Sequence, residues 1–229
     1  MAAGKGAMVL DKSDVTLVSE TETETETETE TETETETETN STSSPATTAA
    51  TAGWPDFGAM PGWLQQELRS DHAGEYGAVM IYRGVLAVSK DTSVRQFAER
   101  HLLTEGQHLA LMEEIVFRRE RTKLLPLWRL MGWLTGALPA LVGRQAVFAT
   151  IEAVETFVDH HYEQQIQRLP VQGTYASLRE MLLNCQADEV SHRDEAARLA
   201  MPRRGILLRA WCAVVGTGSA LAVIAAKRI

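Results

Sequence analysis

From Pro61 onward the chain carries long stretches in which apolar residues recur three and four positions apart, separated by short polar breaks. That spacing lays an apolar stripe along one face of a helix. The first stretch runs roughly from Gly62 to Ser89 and stops at "SKDTS", where Asp91 or Ser93 can cap the next helix. The second continues to about Thr122. A third covers roughly Gly143 to Arg168 and ends at "LPVQGT", and a fourth covers Tyr175 to Ala200 and stops at "MPRRG". Between the second and third lies an apolar segment, residues 124–142, and a last apolar segment runs from Ile206 to Ala226. No convincing period-2 strand is present. The pattern predicts an all-α four-helix bundle with a hydrophobic insert and an extra C-terminal helix.

Upstream the pattern changes. Thr and Glu alternate without interruption from Glu20 to Thr39. Alternation can mark a strand, but here it has no apolar partner set and its like charges repel, so residues 1–58 read as a disordered acidic tail. Residues 59–229 read as one folded domain. The net charge of −9 belongs to the tail: residues 1–61 hold 13 acids against two lysines, while the remainder holds 18 acids and 20 bases. A nearly neutral domain has no basic face with which to neutralise phosphates, which argues against nucleic acid as a partner. Cys185 and Cys212 make neither a disulfide framework nor a CxxC spacing, and read as free thiols in a reducing compartment. The first residues lack the apolar core of a secretory signal and the Arg-rich, acid-poor character of a mitochondrial presequence.

The chemistry lies in carboxylates placed where core residues belong. In "LLTEGQHLALM", Glu105 and His108 are three apart and share a face with Leu102, Leu109 and Met112. In "NCQADEVSH", Glu189 and His192 share a face with Leu182, Cys185, Ala196 and Leu199. Glu155 lies on the stripe of Phe148, Ile151, Val158 and Tyr162, and Glu75 on that of Leu68, Val79 and Tyr82. Glu75 is moreover flanked by Gly74 and Gly77, each costing a helix ~1 kcal/mol relative to alanine. Their small size lets another group approach the backbone closely beside that carboxylate.

A lone Glu-x-x-His on a helix is ordinarily a surface pair. Here the order Glu, then Glu-x-x-His, occurs twice, with separations of 30 and 34 residues, so a two-helix unit is repeated. Four ionised carboxylates in one core would cost many kcal/mol without compensation. Two divalent cations would neutralise them, and this ligand pattern is that of ferritin-like di-iron and di-manganese bundles. Oxygen-rich ligation with two imidazoles suits iron or manganese better than copper or structural zinc. Spacing alone leaves Glu152, one turn before Glu155, as an alternative ligand.

The segments "DHAGEYGA", "EGQH", "AVETFVDHHY" and "DEVSH" resemble the demethoxyubiquinone hydroxylases of ubiquinone biosynthesis, and the similarity extends from about Trp63 to the C-terminus. The resemblance implies two iron ions held by Glu75, Glu105, His108, Glu155, Glu189 and His192, which favours Glu155 over Glu152. It places His161 and Tyr162 near the site. It implies a monooxygenase that uses dioxygen to hydroxylate the ring of a polyprenyl methoxy-benzoquinol, with a quinone-delivering protein as a further partner. The Thr-Glu tail lies outside the family pattern.

A polyprenyl substrate implies work at a membrane. Pro126, Arg129 and Pro139 argue against a simple spanning helix over residues 124–142. Trp128 and Trp133, following Arg118, Arg119, Arg121 and Lys123, fit an interfacial element; a buried connector between helix pairs fits equally. The C-terminal segment, flanked by Arg203, Arg204, Arg209, Lys227 and Arg228, reads as a fifth core helix that touches lipid. Peripheral attachment to the cytoplasmic face of a bacterial-type inner membrane is expected, with the matrix side of the mitochondrial inner membrane as the alternative. Two rival functions use the same residues: a ferritin-like ferroxidase or iron store, and a non-catalytic quinone-binding bundle.

Overall fold

A computed structural model describes residues 53–201 and 204–229; the Thr-Glu run of the tail, with Pro202 and Arg203, lies outside the described residues. The described chain forms α1 (Gly62–Val88), α2 (Thr92–Ile115), α3 (Leu125–Val142), α4 (Arg144–Ile166), α5 (Ala176–Leu199) and α6 (Ile206–Arg228), with no strand among the described residues. This is the all-α architecture that the periodicity predicts.

Asp91 starts α2 by accepting hydrogen bonds from the Ser93 and Val94 amides at 2.9 and 3.1 Å, satisfying donors that a helix start leaves free. Only Ser89, Lys90 and Asp91 separate α1 from α2, so α2 folds back along α1. The α4–α5 pair forms a second hairpin. Apolar side chains of the four helices gather in two clusters. One contains Leu64, Leu68, Met112, Tyr162, Leu178 and Leu182; the other contains Tyr82, Val85, Phe97, Phe148, Ile151 and Ala196. On each helix the inward carboxylate lies in sequence between residues of the two clusters, so apolar packing closes the bundle above and below it. The packed chain also includes residues before position 59: Phe57 is buried in the first cluster, and the Trp54 indole donates to Glu114 Oε2 at 3.2 Å.

α2 ends at Ile115, short of the expected end near Thr122. Val116 leaves the helix with extended backbone and a fully buried side chain, and Arg121 Nε reaches back to its carbonyl at 3.1 Å. That bond satisfies a carbonyl group, and the basic run forms a 3-10 turn, Arg118–Glu120, instead of more α-helix.

The insert is α3, packed along the outer side of α1. Small residues permit a close approach. A methyl group at Gly132 would lie 2.6 Å from the Gly77 carbonyl oxygen, and methyls at Gly84 and Gly136 would strike the Trp133 and Ile81 carbonyls. A methyl at Gly77 itself would meet only Trp128 Cδ1 at 3.4 Å, an ordinary contact, and one at Gly74 would meet nothing within 4 Å. The outer face of α3 exposes Leu127, Leu130, Met131, Leu138 and Leu141. The insert is thus a connector on one face and an apolar surface on the other.

α6 packs on α1 and α4 but is less of a core helix than expected. Only Val215 and Ala226 are buried, and Ile206, Leu207, Val214 and Leu221 are exposed. Polar contacts fix it: Trp211 donates to Thr150 Oγ1 at 2.8 Å, and Lys227 pairs with Glu67 at 2.5 Å. By length and composition alone it could cross a membrane, with a mean hydropathy of 1.7.

Candidate metal centre

Each helix of the two hairpins sends its polar residues inward from the middle of an apolar stripe. Glu75 on α1, Glu105 and His108 on α2, Glu155 on α4, and Glu189 and His192 on α5 are all at most 4% exposed. They form two overlapping groups: Glu75, Glu105, His108 and Glu189, and Glu105, Glu155, Glu189 and His192. Within each group one donor atom per residue lies within 4.8 Å of all the others. Glu105 and Glu189 belong to both, so they stand between two cation-sized positions. Glu152 is elsewhere: partly exposed, it pairs with Arg204.

The donors fit divalent cations. Both oxygens of Glu105, Oε2 of Glu75, Oε2 of Glu189 and Nδ1 of His192 are buried without hydrogen-bond partners. Unsatisfied buried carboxylate oxygens are costly and rare in native proteins. The same deficit of positive charge acts on the protonation of the carboxyl groups. Burial, reinforced by Glu189 and Glu75, pushes the Glu105 carboxyl well above its usual range. Burial, with Glu189 and Glu105, does the same to Glu155. Glu189 is the exception: burial raises it, but the hydrogen bond with His108 and the His192 imidazole 3.4 Å away outweigh that and bring it down to about 2. Burial opposes charge on both imidazoles, yet contacts with Glu189 in particular raise them. Without cations, protons take their place.

A ring of polar groups orients these donors. Tyr162 donates to Glu75 Oε1 at 2.5 Å, and Tyr82 donates to Glu155 Oε1 at 3.2 Å. The arrangement is reciprocal: each tyrosine sits seven residues after the glutamate of its own helix and holds the glutamate of the other. Burial raises both phenols, so they stay protonated donors. His108 turns Nδ1 toward Glu189 Oε1 at 3.0 Å and Nε2 toward Asp188 Oδ2 at 3.1 Å. A carboxylate behind a ligating imidazole fixes its ring orientation. On the other side, His101 packs edge-on against His192, with centroids 4.0 Å apart, and meets Glu195 at 3.0 Å.

His161 lies one step further out. Its Nε2 is 3.0 Å from Asp71 Oδ1, which also accepts from Gln165 at 2.8 Å. Of the two residues expected near the site, Tyr162 touches a glutamate of the cluster, whereas His161 Nε2 meets Asp71, Ser70 and Glu67. Cys185 is buried one turn before Glu189, and burial pushes its thiol up to about 12, so it stays neutral. The sequence reading gives no role to Tyr82, Asp188, His101 or Asp71. The Glu-x6-Tyr spacing, present in both halves, is the signal that marks Tyr82.

Residues 62–226 match the family model described as ubiquinone biosynthesis protein COQ7. Among similar proteins, the mitochondrial NADPH-dependent 3-demethoxyubiquinone 3-hydroxylase of Rattus norvegicus is 37% identical over 135 residues, covering 57% of this chain and 62% of the relative. The human protein of the same name is 37% identical over 131 residues, covering 56% and 60%. The 3-demethoxyubiquinol 3-hydroxylase of Rhodospirillum rubrum is 39% identical over 139 residues, covering 57% and 62%. The matched stretch thus spans less than two thirds of each relative's length. With a family match covering the whole helical bundle, the chain belongs to the COQ7 family of ubiquinone biosynthesis proteins.

Proposed function

We propose that this chain hydroxylates the ring of a polyprenyl methoxy-benzoquinol, a demethoxyubiquinol, using dioxygen and a dinuclear iron centre held by Glu75, Glu105, His108, Glu155, Glu189 and His192. The observation that carries this reading is the pair of overlapping donor groups with unpartnered buried carboxylate oxygens. Membership of a family whose named relatives are demethoxyubiquinol hydroxylases supplies the substrate class. Iron held there would supply the activation of dioxygen; one atom would enter the electron-rich ring as hydroxyl and the other leave as water, with two electrons and two protons drawn from a reductant.

The chain's own residues bind, orient and seal. Glu105 and Glu189 would serve both metal positions; Glu75 with His108, and Glu155 with His192, would complete one each. Tyr162 and Tyr82 hold Oε1 of Glu75 and Glu155, and Oε2 of Glu75 faces His108 Nδ1 at 3.7 Å. Asp188 holds His108 through Nε2. The apolar clusters on either side exclude water, which strengthens each electrostatic contact inside. NADPH, named for the rat and human relatives, is the reductant class to try first. The exposed apolar faces of α3 and α6 support peripheral membrane attachment, where a polyprenyl substrate resides.

The test is turnover in lipid. Iron-loaded protein on vesicles containing a demethoxyubiquinol should form the hydroxylated ring in the presence of a reductant and air. Glu105→Ala, which removes a group common to both positions, should abolish product. Product formation by the Glu105→Ala protein at the parent rate would sink the reading.

A further inference from the structure

On the outside of the bundle, between α1 and α3, runs an open groove of about 640 Å³ lined by Tyr76, Met80, Arg83, Arg129, Leu130 and Trp133. Its composition is unusual for this molecule. Most arginines that touch the bundle are tied down: Arg69, Arg95 and Arg121 hold backbone carbonyls, and Arg168 and Arg193 hold carboxylates. Arg83 and Arg129 enter no ion pair among the described residues, and the one hydrogen-bond contact recorded for either is a weak one from Arg83 to the Met80 sulfur at 3.9 Å. Both are exposed, yet they project from an apolar wall. Leu130 and Trp133 belong at once to the groove and to the exposed apolar face of α3.

Two free guanidinium groups bordered by apolar surface suit an amphiphile with an anionic head. We propose that this groove seats the phosphate-bearing headgroup of a single anionic phospholipid, with Arg83 and Arg129 on the phosphate and an acyl chain over Leu130 and Trp133. Guanidinium recognises phosphate through paired, charge-assisted hydrogen bonds. A dinucleotide fits the groove less well. Its pyrophosphate ordinarily uses free amides at a helix start, but the Leu127 and Trp128 amides already bond to Leu124 and Pro126 has none. The inference does not rest on the hydroxylase reading, because its readout is binding and the groove lies outside the carboxylate cluster.

The experiment uses the metal-loaded full chain and short-chain lipids below their micelle concentration. Dihexanoyl-phosphatidylglycerol, dihexanoyl-phosphatidylcholine and NADPH are titrated separately by calorimetry. The expected result is saturable binding of the glycerol lipid at one site, with no comparable binding of the choline lipid. The pair Arg83→Gln and Arg129→Gln should weaken it by about ten-fold or more, as loss of charge-assisted contacts implies. An equal charge change at exposed Lys90→Gln and Arg198→Gln should leave it nearly unaltered. Equal losses in both double variants would reduce the groove to diffuse attraction and overturn the proposal. Equal binding of the two lipids by the unaltered chain, or of neither, would overturn it without any variant. NADPH binding that disappears with the two groove arginines would assign the groove to the nucleotide instead.

Discussion

Glu105 sits at the point of greatest electrostatic conflict, buried, common to both cation positions and without a hydrogen-bond partner on either oxygen. Its raised carboxyl makes a neutral Gln a near-copy of the metal-free state. Glu105→Gln should therefore leave the melting temperature of the metal-free protein unchanged or higher, while eliminating the stabilisation expected on adding iron to the parent protein. Thermal unfolding with and without iron checks both halves. Tyr162→Phe removes the donor to Glu75 Oε1. Loss of such an orienting bond typically weakens metal binding ~10- to 100-fold, and chelator competition would read the change. His72 supplies a separate pH effect. Burial, then the Arg121 charge, depress its imidazole from 6.5 to about 4, with Glu113 partly opposing. The unfolded chain then binds more protons between those values, so stability contributed by neutral His72 is intact above 6.5 and lost as pH falls toward 4. His72→Leu should flatten the fall in stability across that window, seen as a smaller shift of the denaturant midpoint.

The helices are the most legible elements, because their apolar stripes recur over many turns and Asp91 marks a start. The end of α2 was not legible. It depends on Arg121 reaching back to the Val116 carbonyl, a contact with no periodic signature. Six inward donors could be read from their stripes and their repeated order, but Glu152 and Glu155 could not be separated by spacing. What separates them is Arg204, 52 residues away, which draws Glu152 outward. The reciprocal tyrosines were half visible: both stand on the right stripe, but which glutamate each one reaches depends on how α1 crosses α4. Glycines near the site also divide by role only in the fold. Gly136→Ala should destabilise by a few kcal/mol, since backbone on α1 cannot yield easily to the added methyl. Gly74→Ala should be neutral or stabilising by up to ~1 kcal/mol. If Gly74 instead leaves room for the substrate ring, turnover would fall while the melting temperature rises, a split that neither packing nor helix propensity alone produces.

At the scale of the whole molecule, two hairpins each contribute half of a centre that neither can complete. Stability and loading of the proposed metal centre should consequently change together. In the metal-free protein Glu105 and Glu155 hold protons that the unfolded chain releases above about 4.5. Their contribution to stability is present below that value and is lost as pH rises through their elevated folded values. Cations displace these protons, so the gain in melting temperature on adding Fe(II) or Mn(II) should be larger at about pH 7.5 than at about pH 5.5. Calorimetry at both pH values, in buffers of different ionisation enthalpy, would also count the protons released. Around this core, α3 and α6 present apolar outer faces, which suits chemistry on a substrate that stays in a membrane.

The most direct measurement is a single turnover in lipid: anaerobically reduced, iron-loaded protein with a demethoxyubiquinol, exposed to oxygen-18 gas, and the quinone analysed by mass spectrometry. The expected result is one labelled oxygen atom in the ring, in an amount set by the iron-loaded sites. Iron oxidised with the quinol ring unaltered would contradict the hydroxylase and leave a ferroxidase built on the same six side chains.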